Sequence, residues 1–426
     1  MRYAIVYHVR YRLRRGVIIL KRLALLLFIL LTSQLLPFAC SAENTRNTQM
    51  DEISIYSENN KLGFIRAEGA KLTSPIYDEV LPFRNGCALV KREGFWGCID
   101  DTGKEMIPCE FESIQIAYSD ESDMRFIVSS NNAKGILNEN NETICEIMYD
   151  NIRGFYNGSA IIECDGLMGL IDINGNTLVT PQWEWIYYIS DGWALVSFDA
   201  EGESVFSFVN SENERMKDTY TYAEPFSEGI AYVMTDSTDT FINSAGESVL
   251  LGEWDGIHDR CSQSLIGVCK NDLWGYSLPS GEITIDLCWD EAFPFSPDGI
   301  AMVTKDEKYG FINKSGHLIT DIRWTDAFDF CDGYAIVAED NCYGIIDTNG
   351  DIIVPTIWSD IIYPSEGLIG VQNADGLWGF IDLAGKIVID FQYQSVLNSF
   401  DAGYAQVICI DETTPVWINH LGKVLY

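Results

Sequence analysis

The chain has little positive charge: its 426 residues include 28 Lys and Arg against 63 Asp and Glu, a net charge of −35. The first 42 residues hold seven of these cations and no acid, so the residues from Glu43 onward carry −42. A surface this negative repels phosphate backbones and anionic lipid headgroups. We therefore exclude nucleic acid as a partner and expect the charge to favour a cationic one.

Motifs for metal binding and nucleophilic catalysis are also missing. The four histidines, at positions 8, 258, 317 and 420, show no ligand spacing, and the twelve cysteines form no Cys-x-x-Cys pair. We predict no catalytic residue, no metal and no cofactor. Export would leave room for one or two disulfides among the eleven cysteines after Cys40. Cys87, Cys98 and Cys164 occupy apolar strand positions, which favours small buried hydrophobic side chains.

No apolar run reaches the roughly 20 residues of a membrane-spanning helix. A run of ten begins at Leu23, after Lys21 and Arg22, and small residues follow at Cys40-Ser41-Ala42. This order is typical of a secretory signal peptide. We predict a signal peptide over residues 1–42, a linker over 43–52, and an extracellular or cell-surface protein.

Three kinds of processing remain open at this N-terminus. The leader could be cleaved after Ala42, lipidated at Cys40, or kept as an uncleaved anchor. The protein would touch a membrane only through this segment or through a lipid on Cys40.

The rest of the chain, residues 53–426, repeats itself. Each unit has an aromatic-Gly-apolar-Ile-Asp segment such as Trp378–Asp382, then an aromatic residue usually followed by an acid, then Phe-x-x-Gly-x-Ala-x-Val. The central aromatics recur every 32 to 39 residues, at Tyr77, Phe111, Tyr149, Trp183, Tyr222, Trp254, Trp289, Trp324, Trp358 and Tyr393. The segments alternate with period two, and Asx-x-x-Gly follows the first of them, which predicts strands joined by type I turns.

These units resemble the bacterial WG repeat, also called the KWG repeat. Trp96–Phe111 follows its pattern closely, including Gly103-Lys104 and Ile107-Pro108. The units from Phe206 to Tyr222 and from Thr240 to Val268 depart most, because Ser207 and Thr240 replace the glycine. The resemblance implies an all-β repeat protein of bacteria, found in exported proteins among others, without an assigned chemistry.

We predict a tandem, elongated array of about ten three-stranded units of about 35 residues, closed by a half unit. The alternative is one or two β-propellers, whose blades have four strands in about 40 residues.

The repeated acids have a structural interpretation. Asp172 and Asp347 begin segments similar to a Ca²⁺ loop, but the glycine comes one residue early and the bidentate Glu is missing. We interpret them as turn residues. The acids after the aromatics, at Asp78, Asp150, Asp255 and Asp290, are expected to accept a backbone N–H of a neighbouring strand.

Four aromatics outside the main register crowd together at Trp185, Tyr187, Tyr188 and Trp193. If they were exposed together, they would form an apolar patch of the size used in interactions. They are the candidate contact residues of this sequence.

The sequence favours a non-enzymatic, exported, surface-associated repeat scaffold that binds a protein or a glycan of the cell envelope. Two alternatives remain: a carbohydrate-active enzyme that uses two acids on a propeller, and a structural spacer without a partner.

Overall fold

The structure is a computed structural model that describes residues 53–67, 69–84, 86–119, 123–401 and 403–425. The predicted signal peptide with Cys40 and Ala42, and the linker over 43–52, lie outside these residues. Every regular element in the described part is a β-strand. A search of the same residues for a helix long and apolar enough to cross a membrane finds none.

Contact clustering divides the chain into two compact units. The first contains the described residues up to Asn271, with Tyr276–Thr284 and Leu425. Its strands are β1 (Ile53–Glu58), β2 (Lys61–Arg66), β3 (Glu79–Val80), β4 (Cys87–Arg92), β5 (Phe95–Asp100), β6 (Glu105–Phe111), β7 (Ser113–Ser119), β8 (Asp123–Ser130), β9 (Ala133–Asn138), β10 (Thr143–Tyr149), β11 (Asn151–Tyr156), β12 (Ser159–Cys164), β13 (Leu167–Asp172), β14 (Thr177–Trp183), β15 (Trp185–Ile186), β16 (Trp193–Ala200), β17 (Glu203–Asn210), β18 (Tyr222–Ala223), β19 (Ile230–Met234), β20 (Asp239–Asn243), β21 (Gly256–Ser262) and β22 (Leu265–Lys270).

The second unit contains Asp272–Gly275 and Ile285–Val424. Strands β23 (Leu273–Ser277) and β24 (Ile283–Trp289) are divided between the two units. The remaining strands are β25 (Glu291–Ala292), β26 (Ile300–Lys305), β27 (Lys308–Asn313), β28 (Asp326–Ala327), β29 (Tyr334–Glu339), β30 (Cys342–Asp347), β31 (Ile352–Trp358), β32 (Asp360–Ile361), β33 (Leu368–Gln372), β34 (Trp378–Asp382), β35 (Ile387–Asp401), β36 (Tyr404–Cys409), β37 (Val416–Asn419) and β38 (Val424–Leu425), of which β38 is also divided between the two units.

The sheets repeat one pattern of antiparallel strands that pair in chain order. The sheets β3–β6, β11–β14 and β28–β31 each have a two- or six-residue first strand, a central hairpin and a fourth strand at the edge. The sheets β15–β17, β18–β20 and β25–β27 have three strands. The prediction of an all-β tandem repeat is confirmed, and several units gain a fourth strand that the sequence analysis did not separate. Four strands in order are also the arrangement within a propeller blade, so the sheets agree with both predicted architectures.

In six units the repeated glycine lies where the fourth strand crosses the third. A Cβ added at Gly344 would lie 2.5 Å from the carbonyl oxygen of Val354 and 2.8 Å from the nitrogen of Thr356. The same contact, at 2.5–2.8 Å, would arise at Gly97, Gly135, Gly169, Gly275, Gly344 and Gly379. Any side chain there would push the fourth strand away, which explains why the repeat uses glycine.

The core consists of apolar clusters between successive sheets. In one of them Leu170 and Val179 of one sheet pack with Ala194 and Val196 of the next. Each sheet is therefore stabilised mainly by its neighbours in sequence, as expected for a repeat.

The central aromatic is misassigned by the sequence analysis in one unit. Tyr220, rather than Tyr222, forms the bridge to Phe206 that Trp324 forms to Tyr309 elsewhere. Tyr220 is 6% exposed, whereas Tyr222 begins the next short strand. Spacing alone did not separate two tyrosines that lie two residues apart.

Candidate functional site

The Asx turns use their side-chain oxygens for the backbone. The Oδ1 atom of Asp347 accepts the N–H groups of Asn349 and Asp351, both at 2.9 Å. Neutral Asn313 accepts the equivalent bonds from Ser315 and His317 at 3.0 and 3.1 Å. Because a neutral side chain serves equally well, the turn interpretation is confirmed. Among the described residues no group of three or more His, Cys, Asp or Glu is placed to hold a metal ion.

One turn of this kind was missed by the sequence analysis. Asn373 accepts N–H groups from Asp375 and Leu377, both at 3.0 Å. It connects β33 to β34, where most units have a tight turn with two positive-φ residues. The signal was present, since Asn373 and Gly376 have the spacing of the other turns, but it lies one strand earlier in the unit.

The acids after the central aromatics stabilise the tight turns of the central hairpins. Asp290 accepts the N–H of Asp306 at 2.7 Å, and Asp150 accepts that of Asp165 at 2.7 Å. Asp78 and Asp255 make the same bond. The donors have φ between 50° and 55°, so the carboxylate supports a left-handed conformation. The predicted structural role of these four acids is confirmed.

A third set of acids links successive sheets and was not predicted. Asp191 accepts the N–H of Gly229 at 2.8 Å, 38 positions further along the chain. Glu228 accepts bonds from the next such loop, and Glu366 accepts the N–H of Gly403 at 3.0 Å. The available signal was an acid immediately before the glycine of Phe-x-x-Gly-x-Ala-x-Val or its equivalent. Many of the repeated Asp and Glu side chains therefore have a structural role.

The four candidate aromatics are not exposed together. Tyr188 is 4% exposed, and its hydroxyl donates to the carbonyl oxygen of Gly154 at 2.9 Å. Burial raises the pKa of this Tyr188 hydroxyl. Trp185 stacks on Tyr187 with ring centroids 6.0 Å apart, and these two rings and Trp193 are half-buried against a core cluster. The expected exposed patch is corrected to packing between successive sheets, and contact with a partner stays a prediction.

The three histidines of the described residues lie in three different repeat units, His258 on β21 and His317 and His420 in turns after β27 and β37. His258 is 2% exposed beside Gly267, where an added Cβ would lie 2.1 Å from its Cδ2 atom. His317 is exposed in an Asx turn. The Nε2 atom of His420 lies 2.9 Å from an oxygen of Glu366. These surroundings agree with surface or satisfied side chains.

The cysteines in the described residues, which include all eleven after Cys40, are free thiols. Cys87 and Cys98 are 1% and 0% exposed and belong to a core cluster, as predicted, whereas Cys164 is half-buried.

A groove opens in the sheet β18–β20, where Thr240 replaces the glycine. Thr240 stands on β20 at the position that glycine holds in most other units. The following segment makes a single bridge, Ile242 to Ser248, whereas the three-stranded sheet β25–β27 has a second bridge, Tyr309 to Trp324. The groove that results has a volume of about 470 Å³ and is open to solvent. We call it the Thr240 groove.

The lining of the Thr240 groove is mostly uncharged. Its floor is apolar, with buried Tyr220, Val233 and Ile242. Side-chain hydroxyls surround the floor, at Thr219, Thr235, Thr238, Thr240 and Ser248. One cation and one anion, Lys217 and Asp218, lie at its margin.

The hydroxyls of the groove form two pairs. The Oγ1 atoms of Thr235 and Thr238 are 3.0 Å apart, and Thr240 Oγ1 is 2.8 Å from Ser248 Oγ. Burial first, and then the charge of Asp218, raise the pKa of the Tyr220 hydroxyl, so it is neutral at physiological pH. The groove offers neutral donors and acceptors and no strong nucleophile.

A second surface consists of carboxylates that the fold does not use. They stand three residues before the central aromatic in four units, at Glu146, Asp286, Asp321 and Asp390. All four are exposed, and within the described residues none makes a side-chain hydrogen bond or ion pair. Asp286, Asp321 and Asp390 belong to the second unit. We call them the free outer acids.

Comparison with protein-family models finds the WG containing repeat in nine segments of the chain: 63–94, 96–129, 135–167, 168–200, 219–238, 274–309, 309–341, 343–377 and 378–409. The matches cover more than half of the sequence. The chain belongs to the WG-repeat family. The gaps at 201–218 and 239–273 include Ser207 and Thr240, so the units expected to depart most from the repeat are the ones that the family model leaves out.

Solved structures resemble the chain only distantly. A eukaryotic initiation factor is 11% identical with a TM-score of 0.38, over 79% of this chain and 95% of that one. The computationally designed Ika8 protein is 13% identical with a TM-score of 0.30, over 72% and 96%. Hsv2 of Kluyveromyces lactis is 8% identical with a TM-score of 0.24, over 70% and 94%. Comparison with curated proteins gives no match.

Proposed function

We propose that this WG-repeat protein is an exported, surface-associated, non-enzymatic scaffold that binds a cationic protein of the cell envelope. The observation that carries the proposal is the set of free outer acids. The turn acids are occupied by backbone N–H groups, whereas these carboxylates are exposed and unpartnered at equivalent positions of four units, of which those with Asp286 and Asp321 are successive.

Their recurrence suits an extended partner. A repeat places equivalent side chains on its sheets, and Asp286 and Asp321 do so in successive ones, which spreads like charges over a surface rather than in a pocket. Carboxylates without an internal ion pair lose no existing bond when a lysine or arginine approaches. The net charge of −35 adds a long-range attraction that salt screens. The leader over residues 1–42 supports export, which would present this surface to envelope proteins.

The test begins with capture of envelope proteins by immobilised residues 43–426 at low and moderate salt. Each captured protein is purified, and its dissociation constant is measured at both salts. We expect at least one cationic partner whose affinity falls as salt rises, since exposed charge pairs are screened.

A matched pair of variants then locates the surface. Asp321→Asn with Asp390→Asn removes two free outer acids of the second unit. Asp347→Asn with Asp382→Asn changes the net charge equally at two Asx turns, where Asn keeps the turn bonds, as Asn313 shows. We expect the first pair to weaken binding about threefold to tenfold and the second to change it less than twofold.

Other outcomes contradict the proposal. Equal weakening by both pairs would mean attraction to net charge without a defined surface. An empty capture at both salts would favour the structural spacer. Turnover of an envelope glycan that is lost with a single carboxylate would favour the carbohydrate-active enzyme.

A further inference from the structure

The Thr240 groove lies where this chain departs from its own repeat. In six other units a Cβ added at the glycine would lie 2.5–2.8 Å from the fourth strand, which leaves no space between them. At Ser207, the other replacement, the hydroxyl donates to the carbonyl oxygens of Met216 and Asp218, and the side chain is buried. Thr240 and the segment 217–220, which follows the unit of Ser207, line the groove together. Its volume of about 470 Å³ lies within the ordinary range of ligand sites.

The lining has the chemistry of a neutral polyhydroxylated ligand. A sugar ring has an apolar face and a rim of hydroxyls, each of which both donates and accepts. The groove has the complementary arrangement, an apolar floor that includes Tyr220 and a rim of threonine and serine hydroxyls. The Oγ1 atom of Thr235 also accepts the N–H of Thr238 at 3.1 Å, so it is used within its own turn. The Thr238 hydroxyl, with one donor and two acceptor lone pairs, keeps bonding capacity for a ligand. The hydroxyl of Thr219 makes no hydrogen bond within the described residues.

Charged ligands fit this groove less well. The net charge of −35 repels anions, and the single carboxylate of Asp218 is offset by Lys217. We propose that the Thr240 groove is a carbohydrate-binding site for a neutral sugar, with room for roughly one or two rings. This inference does not rest on the cationic partner, because it concerns other residues and another chemistry.

The experiment uses residues 43–426 and three neutral disaccharides as probes: maltose, cellobiose and N,N′-diacetylchitobiose. Binding is measured by saturation-transfer NMR and by calorimetric titration. We expect at least one probe to bind with a dissociation constant of about 1 mM, as is ordinary for a small open site. The affinity should be unchanged between low and moderate salt, unlike that of the cationic partner.

Substitutions of threonine by valine remove hydroxyls and keep the side-chain shape. Thr238→Val, which keeps the bond from the Thr238 N–H to Thr235 Oγ1, and Thr219→Val, which breaks no internal bond, should each weaken binding about threefold to tenfold. Thr143→Val is the control, since Thr143 is exposed on β10 outside the groove. It should leave the affinity unchanged within about twofold.

Two results would overturn the site. One is the failure of all three probes to bind at about 20 mM, well above the expected constant. The other is a probe that binds the groove variants as it binds the wild-type protein. If the protein binds a sugar but no cationic partner, only the proposed function is refuted. If it binds a cationic partner but no sugar, only this site is refuted.

Discussion

The substitution Gly344→Ala tests why the repeat requires glycine. The new methyl group would lie 2.5 Å from the carbonyl oxygen of Val354 and 2.8 Å from the nitrogen of Thr356, whereas ordinary contact begins at 3.4 Å. Strand β31 would have to move by roughly 1 Å, although Val354 is fully buried. Overpacking of a core costs about 1–3 kcal/mol, and the upper end applies because backbone cannot rotate away. Lower entropy of the unfolded chain offsets about 0.4–1 kcal/mol, so we expect a net loss of about 2 kcal/mol.

Gly370→Ala is the matched control, on β33 of the sheet that follows β28–β31. Its methyl group would meet the Cδ1 and Cγ1 atoms of Ile362 at 2.7 and 2.9 Å. These atoms end a flexible side chain that can change rotamer, so the loss should stay below about 1 kcal/mol.

Both variants are measured by urea unfolding and by hydrogen exchange of the amides in β28–β32. Hydrogen exchange is needed because repeat proteins open locally and need not unfold in a single step. The exchange rates should rise most in β30 and β31 of Gly344→Ala. Equal stability of Gly344→Ala and the wild type, within about 0.5 kcal/mol, would refute the steric explanation.

Three further substitutions test the core, the links between sheets and the turns. Trp324→Ala removes a side chain that is 1% exposed and should cost about 3–5 kcal/mol in urea unfolding; an unchanged midpoint would contradict its place in the core. Tyr363→Phe removes a 2.5 Å bond to the carbonyl oxygen of Asp329 in the preceding sheet and should cost about 1 kcal/mol; a loss no larger than that of an exposed Tyr→Phe change would argue against the link. Burial raises the pKa of Asp347, but the backbone N–H groups of its turn lower it by more, so the folded value is below the ordinary one. Its contribution is present above the ordinary pKa and is lost as pH falls through the folded pKa, so Asp347→Asn should reduce the acid sensitivity of the unfolding midpoint below about pH 4; identical profiles would contradict this.

Several features could be read from the chain because they depend on local spacing. The Asx-x-x-Gly turns are determined by side chains that bond to backbone two and four residues away, so Asp347 could be interpreted without a fold. The role of Asp150 was also accessible, because the turn it supports belongs to the same unit. The spacing of the repeat does not distinguish Tyr220 from Tyr222, because it cannot decide which of two nearby tyrosines faces the neighbouring strand.

The candidate sites were less accessible, because each depends on where neighbouring sheets pack. Trp185 and Tyr188 stand outside the register and resembled a surface patch, yet the preceding sheet covers Tyr188 and Trp185 packs against the next one. The hydrogen bond from the N–H of Gly229 to the carboxylate of Asp191 joins two neighbouring sheets, so it depends on how those sheets pack. Glu146 and Asp78 are both repeated acids, and only the hydrogen bonds distinguish the free one from the occupied one.

The sequence by itself determined the repeat, its β character, its turns and its charge, because these follow from residue identity at short separations. It also marked Thr240 as an exception to the glycine rule, without indicating the consequence. Only the tertiary structure showed the groove beside this exception, because its lining comes from β19, β20 and the loop before β18, which residue order alone does not bring together.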